Sequence, residues 1–326
     1  MRIAVTRRIP EAGLRLLGES IDVSLWEGAL PPGREELLAL AEGADGLLTL
    51  LTDRIDGALL DRLPSVRVVS NFAVGFDNID VPACTARGVA VCITPDVLTE
   101  TTADFAFALL LAVARQVKES ANSVPAGRWQ TWEPLGFLGH DVFGATLGIV
   151  GMGRIGRAVA HRARGFDMRI LYTDRGERAS EGPETSAQRV DLDTLLRESD
   201  FVSLHVPLTA ETRGMLGQRE FELMRRSAIL INTARGSVVD TEALASALES
   251  GVIWGAGLDV TDPEPLPATH RLLRLPRVIV TPHIASASEA TRARMAELAA
   301  RNALAVLHGE TPPRCVNPEV LEHARG

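Results

Sequence analysis

Gly151-Met152-Gly153-Arg154-Ile155-Gly156 follows directly on the apolar run Ala145-Thr-Leu-Gly-Ile-Val150. A buried strand that runs into a glycine turn and opens a helix is what a dinucleotide pyrophosphate requires. The first glycine permits the tight turn, and the second lets backbone N–H groups approach the phosphates. The third lets the helix close on the strand, so that a helix N-terminus faces the negative charge. A lone hexapeptide of this kind also occurs as a plain structural turn. Here both flanks fit, because a second apolar run, Met168-Arg-Ile-Leu-Tyr172, leads to Asp174. A spacing of about 20 residues suits a carboxylate that reaches the adenosine ribose. The stretch predicts a parallel α/β domain that binds a nicotinamide dinucleotide.

Working outward, a series of β/α units starts at Thr146. Strands are expected at Leu147–Val150, Arg169–Thr173, Phe201–Val206, Ala228–Asn232, Gly255–Asp259 and Val278–Thr281, with helices at Arg154–Arg164, Leu192–Glu198 and Thr241–Glu249. Six strands match the two-halved dinucleotide fold. The polar, turn-rich stretch Gly176–Gln188 reads as a surface loop. Before this series, β-like runs (Arg2–Thr6, Gly46–Leu51, Val66–Ser70, Val89–Ile93) alternate with helical stretches such as Glu35–Glu42 and Asp56–Arg62, the pattern of another helix-covered parallel sheet. After Pro95 a long helix is expected from Thr99 to about Ser120. Its centre, Ala103 to Ala114, is apolar on nearly every side and calls for cover from another domain or subunit. A final helix is expected from Glu289 to His308, and the extended segment Thr311–Val316 is free to return to the first domain. The order implies an inserted domain, with a first domain of residues 1–98 plus 290–326 and a cofactor domain of 99–289.

The chain has 326 residues, enough for two domains, and a formal net charge of −8. No basic excess exists to displace counterions from nucleic acid. Lys118 is the only lysine, a bias that base composition explains. Cys84, Cys92 and Cys315 form no closely spaced metal set, and an odd number of scattered cysteines points to idle thiols in a reducing compartment. No metal site is expected. The start, Met1-Arg-Ile-Ala-Val-Thr6, lacks the apolar core of a signal peptide. The longest apolar stretch, Phe105–Ala114, is too short to span a bilayer. A cytoplasmic protein without membrane contact is the expectation.

Three residues able to carry chemistry each sit just beyond an expected strand: Arg235 in Asn232-Thr-Ala-Arg-Gly236, Glu264 in Asp262-Pro-Glu-Pro265, and His283 in Thr281-Pro-His-Ile-Ala285. Singly they read as a surface charge, an acidic turn and an ordinary histidine. Together they supply a cation for a carboxylate, a titratable acid/base, and a carboxylate to orient it.

These motifs, in this order and across almost the whole chain, resemble the D-isomer-specific 2-hydroxyacid dehydrogenase family. Asn71-Phe-Ala-Val-Gly-Phe-Asp-Asn-Ile-Asp80 and Trp132-Glu-Pro-Leu-Gly-Phe-Leu-Gly-His140 resemble its glyoxylate/hydroxypyruvate reductase branch. The resemblance implies a Rossmann-type dinucleotide-binding domain inserted into a discontinuous flavodoxin-like substrate domain. It implies that Arg235 clamps the substrate carboxylate, that His283 exchanges a proton with the substrate oxygen, and that Glu264 holds the imidazole and favours its charged form. Val74 and Gly75 match a loop whose N–H groups bind the substrate carboxylate. Positions matching cofactor contacts are Thr102, Gly151, Met152, Gly153, Arg154, Ile155, Gly156, Asp174, Arg175, His205, Val206, Pro207, Thr233, Ala234, Asp259 and Ala285. The expected reaction is reversible reduction of a small 2-oxo acid, glyoxylate or hydroxypyruvate, to its D-2-hydroxy acid, in an interdomain cleft. Asp174 favours NAD(H), while Arg175 leaves NADP(H) open. The resemblance also implies a homodimer through the 103–114 region, with Trp132, or in its place Trp129, reaching the partner's pocket or merely anchoring the interface. Two rivals remain: a phosphonate dehydrogenase with the same three residues, and a dinucleotide-sensing corepressor-like binding protein.

Overall fold

A computed structural model describes residues 1–175 and 186–323. Most of the expected 176–188 loop, residues 176–185, lies outside them. The chain divides into two compact units, Met1–Leu98 with Ala287–Gly326, and Thr99–Ser286. The second crossing falls three residues before the expected position, just ahead of Ser288. That serine caps the Glu289–Leu307 helix, its side chain accepting from the Thr291 N–H at 3.2 Å.

The first unit has five parallel strands: β1 (Arg2–Val5), β2 (Asp22–Leu25), β3 (Gly46–Thr49), β4 (Val68–Asn71) and β5 (Ala90–Cys92), in the order β2-β1-β3-β4-β5. This is the flavodoxin-like order. β3 and β4 are buried at every residue, whereas no residue of β2 is. β2 was absent from the expected strands because its sequence, Asp-Val-Ser-Leu, covers one edge and carries no apolar run. The Glu289–Leu307 helix completes this unit from the far end of the sequence. The Ser70 hydroxyl donates to the Ala299 carbonyl at 2.8 Å. The buried Asn302 amide donates to Ile93 O at 2.9 Å and accepts from the Arg314 N–H at 2.9 Å. The segment after it lies along β5, with Val316 N–H donating to Val91 O at 2.8 Å and the Asn317 side chain accepting from Val91 N–H at 2.7 Å. Cys92 and Cys315 thereby face one another across a short antiparallel bridge. Two of the three cysteines are paired in space, not scattered, and all three are free thiols.

The second unit has seven parallel strands: β6 (Thr146–Val150), β7 (Arg169–Thr173), β8 (Gln188–Arg189), β9 (Phe201–Leu204), β10 (Ile229–Asn232), β11 (Gly255–Leu258) and β12 (Val278–Val280). Their order is β12-β11-β10-β9-β6-β7-β8. Read from β8, this is the 3-2-1-4-5-6 order of the dinucleotide fold with one further strand at the edge. Apart from the exposed two-residue edge strand β8, its strands are apolar almost throughout because both faces are covered. One face packs Leu195, Phe221 and Leu244 against the sheet, the other Phe107, Leu110 and Val159.

The long helix expected to Ser120 ends at Ala114. Gln116 adopts φ +50°, and a separate helix runs from Val117 to Ser123. Neither Gly nor Pro marks this break in the sequence. Much of the cover for Thr99–Ala114 comes from its own unit. It lies over β10 and β11, where Gly257 leaves room for Leu109 and Gly255 for Val113, and against the helix Arg154–Ala163. Asp104 and Ala108 mark its exposed side, and Arg162 spans to Glu100 and Asp104 at 2.8 and 2.7 Å. Among the described residues no helix is long and apolar enough to cross a membrane. Nor does any group of three His, Cys, Asp or Glu side chains stand close enough to hold a metal ion.

The helix Glu11–Gly18 meets Glu289–Leu307 at Gly13, where an added Cβ would stand 2.7 Å from the Ala296 carbonyl oxygen and 2.8 Å from its Cβ. Gly13→Ala should destabilise the fold by about 1–3 kcal/mol through overpacking. Gly18→Ala, with nothing within 4 Å, should not. Equal midpoints for the two variants in urea unfolding would show that this crossing is not tightly packed.

Candidate active site

Each glycine of the 151–156 turn meets a different steric demand. Gly151 adopts φ +97°, and a Cβ there would lie 2.8–2.9 Å from the His205 carbonyl group and the Val206 side chain. At Gly156 a Cβ would collide with the Gly151 carbonyl oxygen. Gly153 differs: it is exposed, caps the Arg154–Ala163 helix, and nothing lies within 4 Å of an added Cβ. Among the described residues no packing requires a glycine at 153, and the open space there would admit a phosphate group at the helix N-terminus. The donors and space fit a dinucleotide.

The flanking positions agree. Asp174, one residue past β7, accepts from the Met152 N–H at 2.7 Å, which sets its carboxylate beside the glycine turn. Arg175 is exposed and paired with Glu211 at 3.4 Å. His205 follows β9, its Nε2 2.8 Å from the Ser203 hydroxyl, and burial pushes its pKa down to about 4. The ring is neutral near pH 7, as suits a wall and not an acid. The Pro207 carbonyl accepts from Thr212 at 2.7 Å. Thr233 Oγ1 is buried without a hydrogen-bond partner among the described residues, and Thr102 is buried in its helix. An orphaned buried hydroxyl in the loop after β10 is what a cofactor contact would resolve.

Arg235, Glu264 and His283, spread over the loops after β10, β11 and β12, are brought together. His283 Nδ1 is 2.6 Å from Glu264 Oε1. Burial pushes the Glu264 carboxyl up, but the hydrogen bond from His283 and the charges of His283 and Arg235 outweigh it, leaving a pKa below the ordinary value. Glu264 is thus held ionised beside His283 and Arg235. Its loop is fixed at Asp262, which accepts from Ser237 at 2.5 Å and from Thr241 at 2.7 Å. Gly236 sets the separation of the two loops: a Cβ there would run into the Thr261 carbonyl group. Any side chain at 236 would push the turn bearing Glu264 away from Arg235.

Two contributions escaped the sequence reading. Asp259, expected among the cofactor contacts, is occupied by the His283 turn. One carboxylate oxygen accepts from the Thr281 hydroxyl at 2.7 Å and the Ile284 N–H at 2.8 Å, the other from the Ala285 N–H at 2.7 Å. The Ala285 N–H, in a residue also expected near cofactor, is engaged in that bond. His283 itself sits at φ +56°, with its N–H donating to Asp259 O at 2.9 Å. The position of Asp259 one residue past a strand carried a signal for a ligand contact and none for a clamp.

The second contribution lies in the first unit. Val74 and Gly75 belong to a half-exposed loop after β4. Asn71 donates to the Gly75 carbonyl at 2.9 Å, and Asn78 ties the same loop to Leu50 O at 3.0 Å and Asp53 O at 2.8 Å. Both asparagines stand in the motif quoted for the resemblance. Only their grouping as Asn71…Asn78 around a Val-Gly pair could have drawn attention to them.

Residues 107–285 match the family "D-isomer specific 2-hydroxyacid dehydrogenase, NAD binding domain". The chain is 52% identical over 322 residues to a glyoxylate reductase of Korarchaeum cryptofilum, covering 98% of this chain and 97% of the relative. A crystal structure of a protein from Thermus thermophilus superposes with a TM-score of 0.92 at 50% identity, covering 97% of this chain and all of the other. An NADPH-dependent glyoxylate/hydroxypyruvate reductase from Sinorhizobium meliloti, in complex with NADP and malonate, gives a TM-score of 0.86 at 34% identity over 97% of this chain and 96% of that one. With its two parallel sheets, its glycine turn and its Arg235–Glu264–His283 cluster, the chain belongs to the D-isomer-specific 2-hydroxyacid dehydrogenase family.

Proposed function

We propose that this enzyme reduces glyoxylate or hydroxypyruvate to the D-2-hydroxy acid in an NAD(P)H-dependent, reversible reaction. The observation that carries this is the 2.6 Å His283–Glu264 bond within the field of Arg235. The imidazole is anchored through Nδ1, and Nε2 makes no hydrogen bond among the described residues. Arg235 takes up the substrate carboxylate in a planar, two-point contact and draws electron density from the neighbouring ketone. When bound, the reduced nicotinamide supplies the hydride that the carbonyl carbon accepts. His283 Nε2–H passes its proton to the carbonyl oxygen, so that the alkoxide is neutralised as it develops. Glu264, ionised, stabilises the imidazolium before transfer. In oxidation the neutral ring takes the proton back.

Replacing Glu264 with Gln keeps the shape and removes the charge. The high-pH falling limb of the reduction profile should then move toward acid, because the imidazolium loses its stabilising partner. Oxidation, which needs the neutral ring, should gain relative to its own maximum at the same pH values. His283→Gln should lower turnover in both directions by roughly 10²–10⁴, with NADH affinity little changed. A reduction limb that stays put in Glu264→Gln would show that the glutamate does not act through the histidine.

For the cofactor, NADH is the better fit. Asp174 stands at the glycine turn, where its carboxylate accepts ribose hydroxyls and repels a 2′-phosphate. Arg175, the available counter-charge, is already paired with Glu211. That pair is exposed and weak, so it sets a preference and not a barrier. Michaelis constants for the two cofactors should favour NADH; a lower value for NADPH would overturn this choice.

The surface of the 124–143 segment supports a dimer. Trp129, Trp132, Leu135, Leu138 and Phe143 are each more than 60% exposed, an apolar concentration that calls for a partner. We assign it to a second copy of the chain. Light scattering at micromolar concentration should give twice the chain mass, and a monomer would refute the assignment. Trp132→Ala tests its reach: an unchanged substrate Michaelis constant in a variant that remains dimeric would leave Trp132 as an interface anchor only.

A further inference from the structure

Cys92 and Cys315 are direct partners in an antiparallel bridge. The adjoining bond runs from Val316 N–H to Val91 O, one residue to either side of the pair, which makes this a non-hydrogen-bonded pair. Such pairs bring Cα atoms to about 4.5 Å and set the two side chains on one face of the ladder. That spacing lies within the range a disulfide spans. Around it the backbone is held on both sides: Asn317 accepts from Val91 N–H and donates to Val89 O at 2.9 Å, and Asn302 grips Ile93 O and Arg314 N–H.

The two sulfurs differ in access and acidity. Cys92 is fully buried, while Cys315 is half-buried. The Cys92 thiol donates to Cys315, which lowers the pKa of Cys315 to about 7 despite partial burial and raises that of Cys92. Cys84 is buried elsewhere in the unit, and desolvation pushes its thiol up to about 11. One half-buried, more acidic thiol therefore stands against one buried, less acidic thiol, with the third cysteine buried elsewhere.

We propose that Cys92 and Cys315 form a redox modification site that takes a low-molecular-weight disulfide such as oxidised glutathione and closes into an intramolecular disulfide. The Cys315 thiolate attacks one sulfur of the small disulfide. A Cys315–glutathione bond forms as the original S–S bond breaks, and one glutathione thiolate leaves. With the charge on Cys315 gone, Cys92 gives up its proton and attacks Cys315 Sγ, expelling the second glutathione thiolate. Two protein thiols are oxidised to one disulfide, one small disulfide is reduced to two thiols, and the two protein protons end on those thiols. The new bond would join the chain shortly before it leaves the first unit at Leu98 to the tail that lies along β5 after its return at Ala287. Covalent closure of so long a loop restricts the unfolded chain strongly.

Incubation of the native full-length protein with oxidised glutathione should lower the thiols titrated after denaturation from three to one. The intact mass should fall by two hydrogens, with no adduct, and dithiothreitol should reverse both. The thermal midpoint should rise by roughly 5–10 °C relative to Cys315→Ser treated alike. Cys92→Ser should stop at a glutathione adduct on Cys315. A stable adduct on the unaltered protein, retention of all three thiols, a disulfide between two chains, or no adduct on Cys92→Ser would each overturn the proposal.

Discussion

The Asp259 carboxylate, buried one residue beyond β11, is the constraint on which the His283–Glu264 pair depends. It receives three hydrogen bonds from one turn, Thr281 to Ala285, and its own carbonyl accepts the His283 N–H. A non-glycine residue in the left-handed region costs of order 1–3 kcal/mol and persists only where surroundings over-determine it. Three bonds to a buried carboxylate supply that determination. Burial raises the pKa of Asp259, and the donors from Thr281, Ile284 and Ala285 offset it only in part. The site thus carries a desolvation penalty in exchange for a fixed histidine. With the turn fixed, Nδ1 meets Glu264, whose own loop is held at Asp262.

The same logic places the residues proposed to hold the cofactor. All strands of the second sheet are parallel, so every loop that follows a strand emerges at one edge. Gly151–Gly156 follow β6, Asp174 follows β7, His205 follows β9, Thr233–Arg235 follow β10, Asp259 and Glu264 follow β11, and His283 follows β12. A dinucleotide bound along that edge would find backbone donors near the middle of the sheet, the Asp174 carboxylate in the loop after β7, and the Arg235, Glu264 and His283 cluster toward the β12 side. One chain direction, repeated, collects groups scattered over more than a hundred residues of sequence.

What the sequence revealed and what it hid follow from how local each signal is. The glycine turn, Asp174 and the Arg235, Glu264 and His283 loops lie at strand ends, where apolar runs stop and special residues begin, so they could be read directly. Strands with both faces buried were equally plain. β2 was not, because a half-exposed edge strand needs no apolar pattern. The break at Gln116 was not, because a glutamine at φ +50° leaves no mark of the kind Gly or Pro does. The cover of the apolar helix was assigned to another domain or subunit, whereas Gly255 and Gly257 make room for it on β11. The Asp259 clamp, the Asn71 and Asn78 ties and the Cys92–Cys315 pairing rest on contacts between distant segments, which no local pattern encodes.

Strand register explains why Arg235, Glu264 and His283 meet at all. Asn232 pairs with Leu258, and Leu258 with Val280, so β10, β11 and β12 end level with one another. Neighbouring strands lie about 4.8 Å apart. Arg235 and His283 each stand three residues past their strand's last paired position, on strands two places apart. Side chains that bend toward the intervening loop can therefore converge on Glu264. What keeps that loop low enough is the absence of a side chain at Gly236, since only hydrogen fits against the Thr261 carbonyl group. Register brings the loops to one level and a single glycine brings them into contact. The electrostatics follow from that contact: Glu264 remains ionised because the His283 hydrogen bond and the Arg235 guanidinium lie beside it, and its charge is available to the imidazole because the loop cannot retreat.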